Sequence, residues 1–295
     1  MEPNTKKTWQ FIGATYLISF LMVGLFALFG GGWKSPNFMF LGLVYMFVPM
    51  SVAIFMQKRI EKKPLRELGI SFRWNRWFFV AWFLPVLLAI ATFGVSLLFP
   101  GVVFSPGMEG MFARFGANLE PEQIAQMKAM LVQAPIHPFF MGIVQGLLAG
   151  ITVNAIAGFG EELGWRGYLL KKLSFLGFWK SSLLIGLVWG IWHAPLVLQG
   201  LNYPQHPIPG VFMMIAWTML LSPLFSYIRL KSRSVIAAAI MHGTLNAVAG
   251  LAIMVIAGGS DLTVGVTGLA GFIVLLVVNL SIFLFDRNPE IGVLA

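Results

Sequence analysis

Glu161 and Glu162, with Arg166 four residues after the second, put two carboxylates and a guanidinium within six residues at the end of a strongly apolar stretch. Ionisable side chains at membrane depth are costly. They face a protein interior or a water-filled cavity and so signal function. On a helix, neighbours point about 100° apart, whereas residues four apart share a face. Glu162 and Arg166 are therefore expected to pair. Glu161 is expected to lie outside that pair, available as a general base.

Two further stretches carry polar groups inside apolar runs. His193 follows Trp189 by one helical turn, and His242 precedes Asn246 by the same spacing. A lone histidine, a lone Glu–Arg pair or a lone asparagine in an apolar helix is often only a packing device. Their coincidence on three segments points instead to a site. One chemistry has Glu161, assisted by His193, deprotonating a water while His242 and Asn246 donate to the oxyanion formed at a peptide carbonyl. The other has the same imidazoles and carboxylate binding a divalent metal such as zinc, with water in an open position. Spacing does not separate the two. The chain contains no cysteine, and neither His-Glu-x-x-His, Gly-x-Ser-x-Gly nor Gly-x-Gly-Asp. His137 and His206 stand beside prolines in predicted outer loops and are assigned no role.

The elements that must position these groups follow from composition. The chain is 58% hydrophobic and 11% charged, whereas soluble chains carry about 25% charged residues. We expect an all-α polytopic membrane protein, one transmembrane domain over 1–295. Its eight spans are read at about 9–30, 36–56, 77–99, 138–160, 179–199, 209–230, 234–257 and 263–285, each near the roughly 20 residues a crossing helix needs. The first run is too long for a signal-peptide core and is kept as a span. The net charge of +9 does not indicate nucleic acid, because the basic residues sit in short loops beside apolar segments. Placing the basic 57–76 loop in the cytoplasm puts 17 Lys and Arg on that side and leaves Lys34, Arg114 and Lys128 on the other. By the positive-inside rule both termini are then cytoplasmic, and so is the half of the membrane holding the polar groups.

Small residues at four-residue intervals mark the segments that carry chemistry: Gly146 and Gly150, Gly186 and Gly190, and Ala239, Gly243 and Ala247. Such faces let backbones approach closely, which predicts a central cluster of spans four, five and seven, within a motif-bearing core of about 138–257. The 100–138 stretch contains a helix-like segment from Glu120 to Val132, expected to lie on the outer surface as a connector or a lid.

Glu161-Glu162-x-x-x-Arg166, Trp189-x-x-x-His193 and His242-x-x-x-Asn246, in this order, resemble the CPBP family of intramembrane proteases. That family includes the type II CAAX prenyl endopeptidases and the bacteriocin-processing or immunity (Abi) proteins. Trp189 departs from its usual phenylalanine, which keeps a flat wall and alters the cavity size. The resemblance implies an eight-helix fold with a conical cavity open to the cytosol and sideways to lipid. It implies Glu161 and His193 activating water, His242 and Asn246 forming the oxyanion hole, and Glu162 and Arg166 in support. The family has long carried the label metalloprotease, while the glutamate mechanism needs no metal. The implied partners are the lipid bilayer and a membrane-associated peptide or protein, lipidated or not. The implied location is a multi-pass integral membrane protein, in the cell membrane if the source is prokaryotic. Two other classes compete: a non-proteolytic scaffold or immunity factor on the same fold, and a transporter using the buried carboxylate as a proton relay. No inverted repeat supports the last.

Overall fold

A computed structural model describes residues 5–115 and 120–294. Residues 116–119 of the predicted 100–138 loop lie outside it. Backbone groups in lipid must be satisfied within their own segment, which selects helices. The described chain is mainly helical, with α1 (Thr5–Leu28), α2 (Phe38–Met46), α3 (Val48–Phe55), α4 (Arg76–Ser96), α5 (Glu109–Phe115), α6 (Pro121–Gln133), α7 (Pro138–Ile151), α8 (Val153–Glu162), α9 (Leu170–Leu173), α10 (Phe178–Leu198), α11 (Pro207–Ser232), α12 (Val235–Val248), α13 (Leu251–Met254) and α14 (Leu269–Phe285). Strands β1 (Val103–Phe104) and β2 (Ile256–Ala257) pair antiparallel.

The expected count of eight spans is met only in part. Among the described residues, six helices are long and apolar enough to cross a membrane, or seven if a bent pair is one span. The predicted span 138–160 is two helices. Thr152 takes a non-helical conformation (φ −119°, ψ −110°), and its hydroxyl donates to the Leu148 carbonyl at 2.7 Å. The last predicted span, α14, has 17 residues, short of the usual crossing length. The segment beginning at Glu120 is helical, closed by a capping box between Glu120 and Gln123. It is bent from α7 by 94°.

The loops gather at two opposite ends. At one, Glu61 accepts from Lys172 and Tyr168 at 2.6 and 2.7 Å, Asn75 donates to the Ser232 carbonyl at 3.0 Å, and Lys231 pairs with Asp286. These are the segments read from charge as one side. At the other end, Tyr203 donates to the Thr267 carbonyl at 2.7 Å and His206 meets Asp261 at 2.6 Å.

Close approach of α8 and α12 depends on glycine. A Cβ on Gly158 would lie 2.9 Å from the Ala239 carbonyl oxygen and 3.0 Å from the His242 Cβ, so any side chain there would drive the two helices apart. The glycines of α10 do something else. Gly186 and Gly190 lie against Met219, Thr218 and Ile215, so the small-residue face of α10 packs on α11. The expected three-helix cluster is corrected accordingly. The helix α10 reaches α8 and α12 through long side chains, and a cavity lies between them.

Candidate active site

Glu161, Trp189, His193, His242 and Asn246 line one cavity of about 280 Å³, together with Tyr45, Trp192 and Trp217. Glu162 and Arg166 stand behind its wall. The carboxylates are held at this depth because α8 does not stop at them. The chain continues into a π-helical turn, Leu163–Leu169, in which every residue is buried. Wide turns of this kind recur at functional sites.

The expected pair forms: Arg166 Nη1 lies 3.3 Å from Glu162 Oε1, both side chains fully buried. Arg166 Nη2 also donates to Ser222 at 3.2 Å. The guanidinium is shelved between two rings, 4.6 Å from Trp189 and 4.8 Å from Phe225, close enough for cation–π attraction. Glu162 Oε2 and Arg166 Nε have no hydrogen-bond partner, so the pair is fixed more by packing and charge than by complete bonding.

Glu161 is less free than the spacing suggested. Its Oε2 accepts from the Trp189 indole at 2.6 Å and from the Trp165 indole at 3.4 Å. Its Oε1 faces His242 Nε2 at 3.8 Å. Trp165 was legible: it follows Glu161 by four, the spacing that paired Glu162 with Arg166. Ser222 and Phe225 carried no such signal, because their approach is set by the packing of α11.

Both histidines are pinned by the nitrogen that points away from Glu161 or the cavity. His193 Nδ1 lies 2.8 Å from the Trp189 carbonyl oxygen. A carbonyl only accepts, so Nδ1 carries the proton and a neutral ring offers Nε2 as acceptor. His242 Nδ1 lies 2.8 Å from Glu162 Oε1 and donates to that carboxylate. Asn246 is exposed on the cavity wall. Among the described residues no three His, Asp or Glu side chains converge closely enough to hold a metal ion.

The cavity extends toward the end of the bundle that lacks the basic loops. From Glu161 its wall continues through Leu196, Asn202, Ala249 and Thr267, residues of the end without the basic loops. His193 lies fifteen residues after Phe178 and five before Leu198, about 22 Å along α10 at 1.5 Å per residue. Toward the basic end, Leu163, Trp165, Arg166, Tyr168 and Leu169 are buried to 1% exposure or less and form a closed floor. Packing of α3 on the π-helical turn fills this end of the bundle.

Comparison with known proteins bears on the same stretch. Residues 135–248 match the model of a family described as type II CAAX prenyl endopeptidase Rce1-like. The chain is 37% identical over 93 residues to CAAX prenyl protease 2 of Methanococcus maripaludis, covering 29% of this chain and 34% of that protein. The chain thus spans about a third of the length of the curated relative it matches. Glu161, Glu162, Arg166, Trp189, His193, His242 and Asn246 all fall inside the matched family segment. On these motifs, their shared cavity and this match, the segment 135–248 resembles the Rce1-like type II CAAX prenyl endopeptidases.

Proposed function

We propose that this protein is an intramembrane endopeptidase whose catalytic groups are Glu161, His193, His242 and Asn246. The observation that carries the reading is the pinning pattern. Each histidine is held through Nδ1, and one Glu161 oxygen is held by indoles, while all four groups line a single cavity. Glu161 takes up one proton of an attacking water while His193 Nε2 accepts a hydrogen bond from the other, and the hydroxide adds to the scissile carbonyl carbon. The oxyanion accepts from the Asn246 amide and from His242 Nε2. His242 donates there as the doubly protonated ring, whose charge the Glu162 carboxylate balances. Collapse of the tetrahedral species expels the amine, which receives the proton from Glu161. Preorganised donors of this kind are each worth about 3–4 kcal/mol in the transition state.

In this reading the chain sits in a bilayer as eight passes, α7 with α8 counting as one and α14 as the last. The basic end and both termini face the cytoplasm. The substrate is a membrane-associated peptide or protein, and a lipidated carboxy-terminal peptide of the kind named by the archaeal relative is the first to try. Purified wild type should cleave, while Glu161→Ala, His193→Ala and His242→Ala should each lose at least about a hundredfold. Equal cleavage by all four refutes the site. Full biological rescue by Glu161→Gln would point instead to a non-proteolytic scaffold.

A further inference from the structure

We propose that the corner where the 65–76 loop meets the junction of α11 and α12 binds the phosphate of an acidic phospholipid headgroup. The inference rests on the chain lying in a bilayer and not on the peptidase reading.

A guanidinium with nothing to balance it leads to this site. Arg229, in the last turn of α11, is only 5% exposed. Buried Arg166 has Glu162 and Ser222 as partners. Arg229 has neither a hydrogen bond nor an ion pair among the described residues, and its Nε is sealed inside the protein. Three acids of this end are already engaged: Glu61 by Lys172, Glu67 by Lys63 and Lys171, and Asp286 by Lys231. A buried charge left uncompensated is strongly destabilising, so an anion is what this corner lacks. The backbone makes room for the guanidinium. Gly69 takes φ +82°, and a Cβ there would collide with Arg229 Nη2.

The surroundings say which anion. The Val235 amide donates to the Gly69 carbonyl at 2.9 Å, Ser234 to the Ser71 carbonyl at 2.5 Å and Asn75 to the Ser232 carbonyl at 3.0 Å. The stretch from Gly69 to Asn75 therefore runs along the α11–α12 turn. It brings Arg73 and Arg233, both exposed, to the corner that holds Arg229. Exposed Arg66 is tied there by the Gly69 amide, which donates to its carbonyl at 3.0 Å. None of these three arginines has an acidic partner among the described residues. Guanidinium forks match phosphate oxygens. Phe72 and Trp74 are exposed beside them, and α4, long enough to cross a membrane, opens at Arg76. Aromatic and basic side chains at the end of a span sit at headgroup level, where anionic lipids meet basic pockets between helices. A phospholipid supplies both the phosphate for the arginines and an acyl chain for the two rings. A soluble phosphate would leave the rings uncovered.

Native mass spectrometry of the purified full chain in detergent, titrated in turn with phosphatidylglycerol, phosphatidylcholine and inorganic phosphate, tests this. Phosphatidylglycerol should bind about tenfold more tightly than phosphatidylcholine, and Arg229→Met should remove that preference. Arg73→Gln combined with Arg233→Gln, both at exposed positions, should weaken phosphatidylglycerol about threefold. Because Arg229→Met deletes an unbalanced charge, it should melt no lower than wild type without lipid. It should also gain no melting temperature from phosphatidylglycerol, where wild type gains. A purely structural arginine would instead lower the melting temperature with and without lipid and leave the lipid preference intact, which overturns the proposal. Should Arg229→Met fail to fold, the exposed pair decides: unchanged phosphatidylglycerol binding by that variant overturns it. Inorganic phosphate that displaces phosphatidylglycerol at equal concentration overturns the lipid assignment.

Discussion

Trp189 donates its indole N–H to Glu161 at 2.6 Å while its ring lies 4.6 Å from the Arg166 guanidinium. One side chain of α10 thus orients the proposed base and covers the ion pair behind it. The wall of the site and its support are the same object.

Trp189→Phe separates these two duties. Phenylalanine keeps a ring over Arg166 and removes the donor to Glu161, leaving the longer Trp165 contact. A hydrogen bond to a charged group contributes about 1.5–3 kcal/mol, so cleavage should fall roughly ten- to hundredfold with little loss of thermal stability. Steady-state kinetics beside a melting curve in detergent would check this. A variant that melts far earlier would show that the ring, not the N–H, matters.

Glu162 and Arg166 should be strongly non-additive. Removing one partner of a buried pair leaves an uncompensated charge and costs about 3–5 kcal/mol. Arg166→Met or Glu162→Gln alone should therefore destabilise more than half as much as both together. Glu162→Gln also weakens the anchor of His242 Nδ1, so the double variant should be stable yet slow. A double-mutant cycle on unfolding midpoint and on turnover tests both statements.

The basic end should carry an acid-sensitive clasp. Burial pushes the Glu61 carboxyl up, but Lys172, Tyr168 and Lys7 together hold it below the usual glutamate value. A depressed carboxylate contributes stability that is present above its unfolded value of about 4.3 and is lost as pH falls through the lower folded value. Wild type should lose melting temperature below about pH 4, and Glu61→Gln should be less stable near neutrality with a flatter acid limb. Identical profiles would show that no such clasp operates.

Chelation separates the two chemistries that the spacing left open. The proposed route uses Glu161, His193, His242 and Asn246 without a metal, so activity of purified protein should survive prolonged treatment with a strong chelator, and metal analysis should find less than one equivalent. Loss of activity restored by zinc would replace this mechanism with a metal-bound water.

Much of the site could be read from spacing because helices keep register. The Glu162–Arg166 pair and the gathering of Glu161, His193, His242 and Asn246 follow from residues four apart sharing a face and from polar groups in lipid seeking one another. What spacing cannot give is which way a helix leans. Gly186 and Gly190 announce close packing without naming α11 as the partner. The break at Thr152 has no proline beside it. The π-helical turn at Leu163–Leu169 has no compositional mark either, yet it closes the floor of the cavity. Direction, in short, is a property of tertiary packing, and the motifs are silent on it.

That floor has a consequence for the cell. A water-filled passage through a membrane would dissipate the ion gradients on which the cell depends. Hydrolysis in a bilayer needs water, and the buried plug of Leu163, Trp165, Tyr168 and Leu169 admits it to a blind pit instead of a pore. In the proposed peptidase, water and product ends would exchange from one side of this plug, so hydrolysis would proceed without electrical leakage across the bilayer.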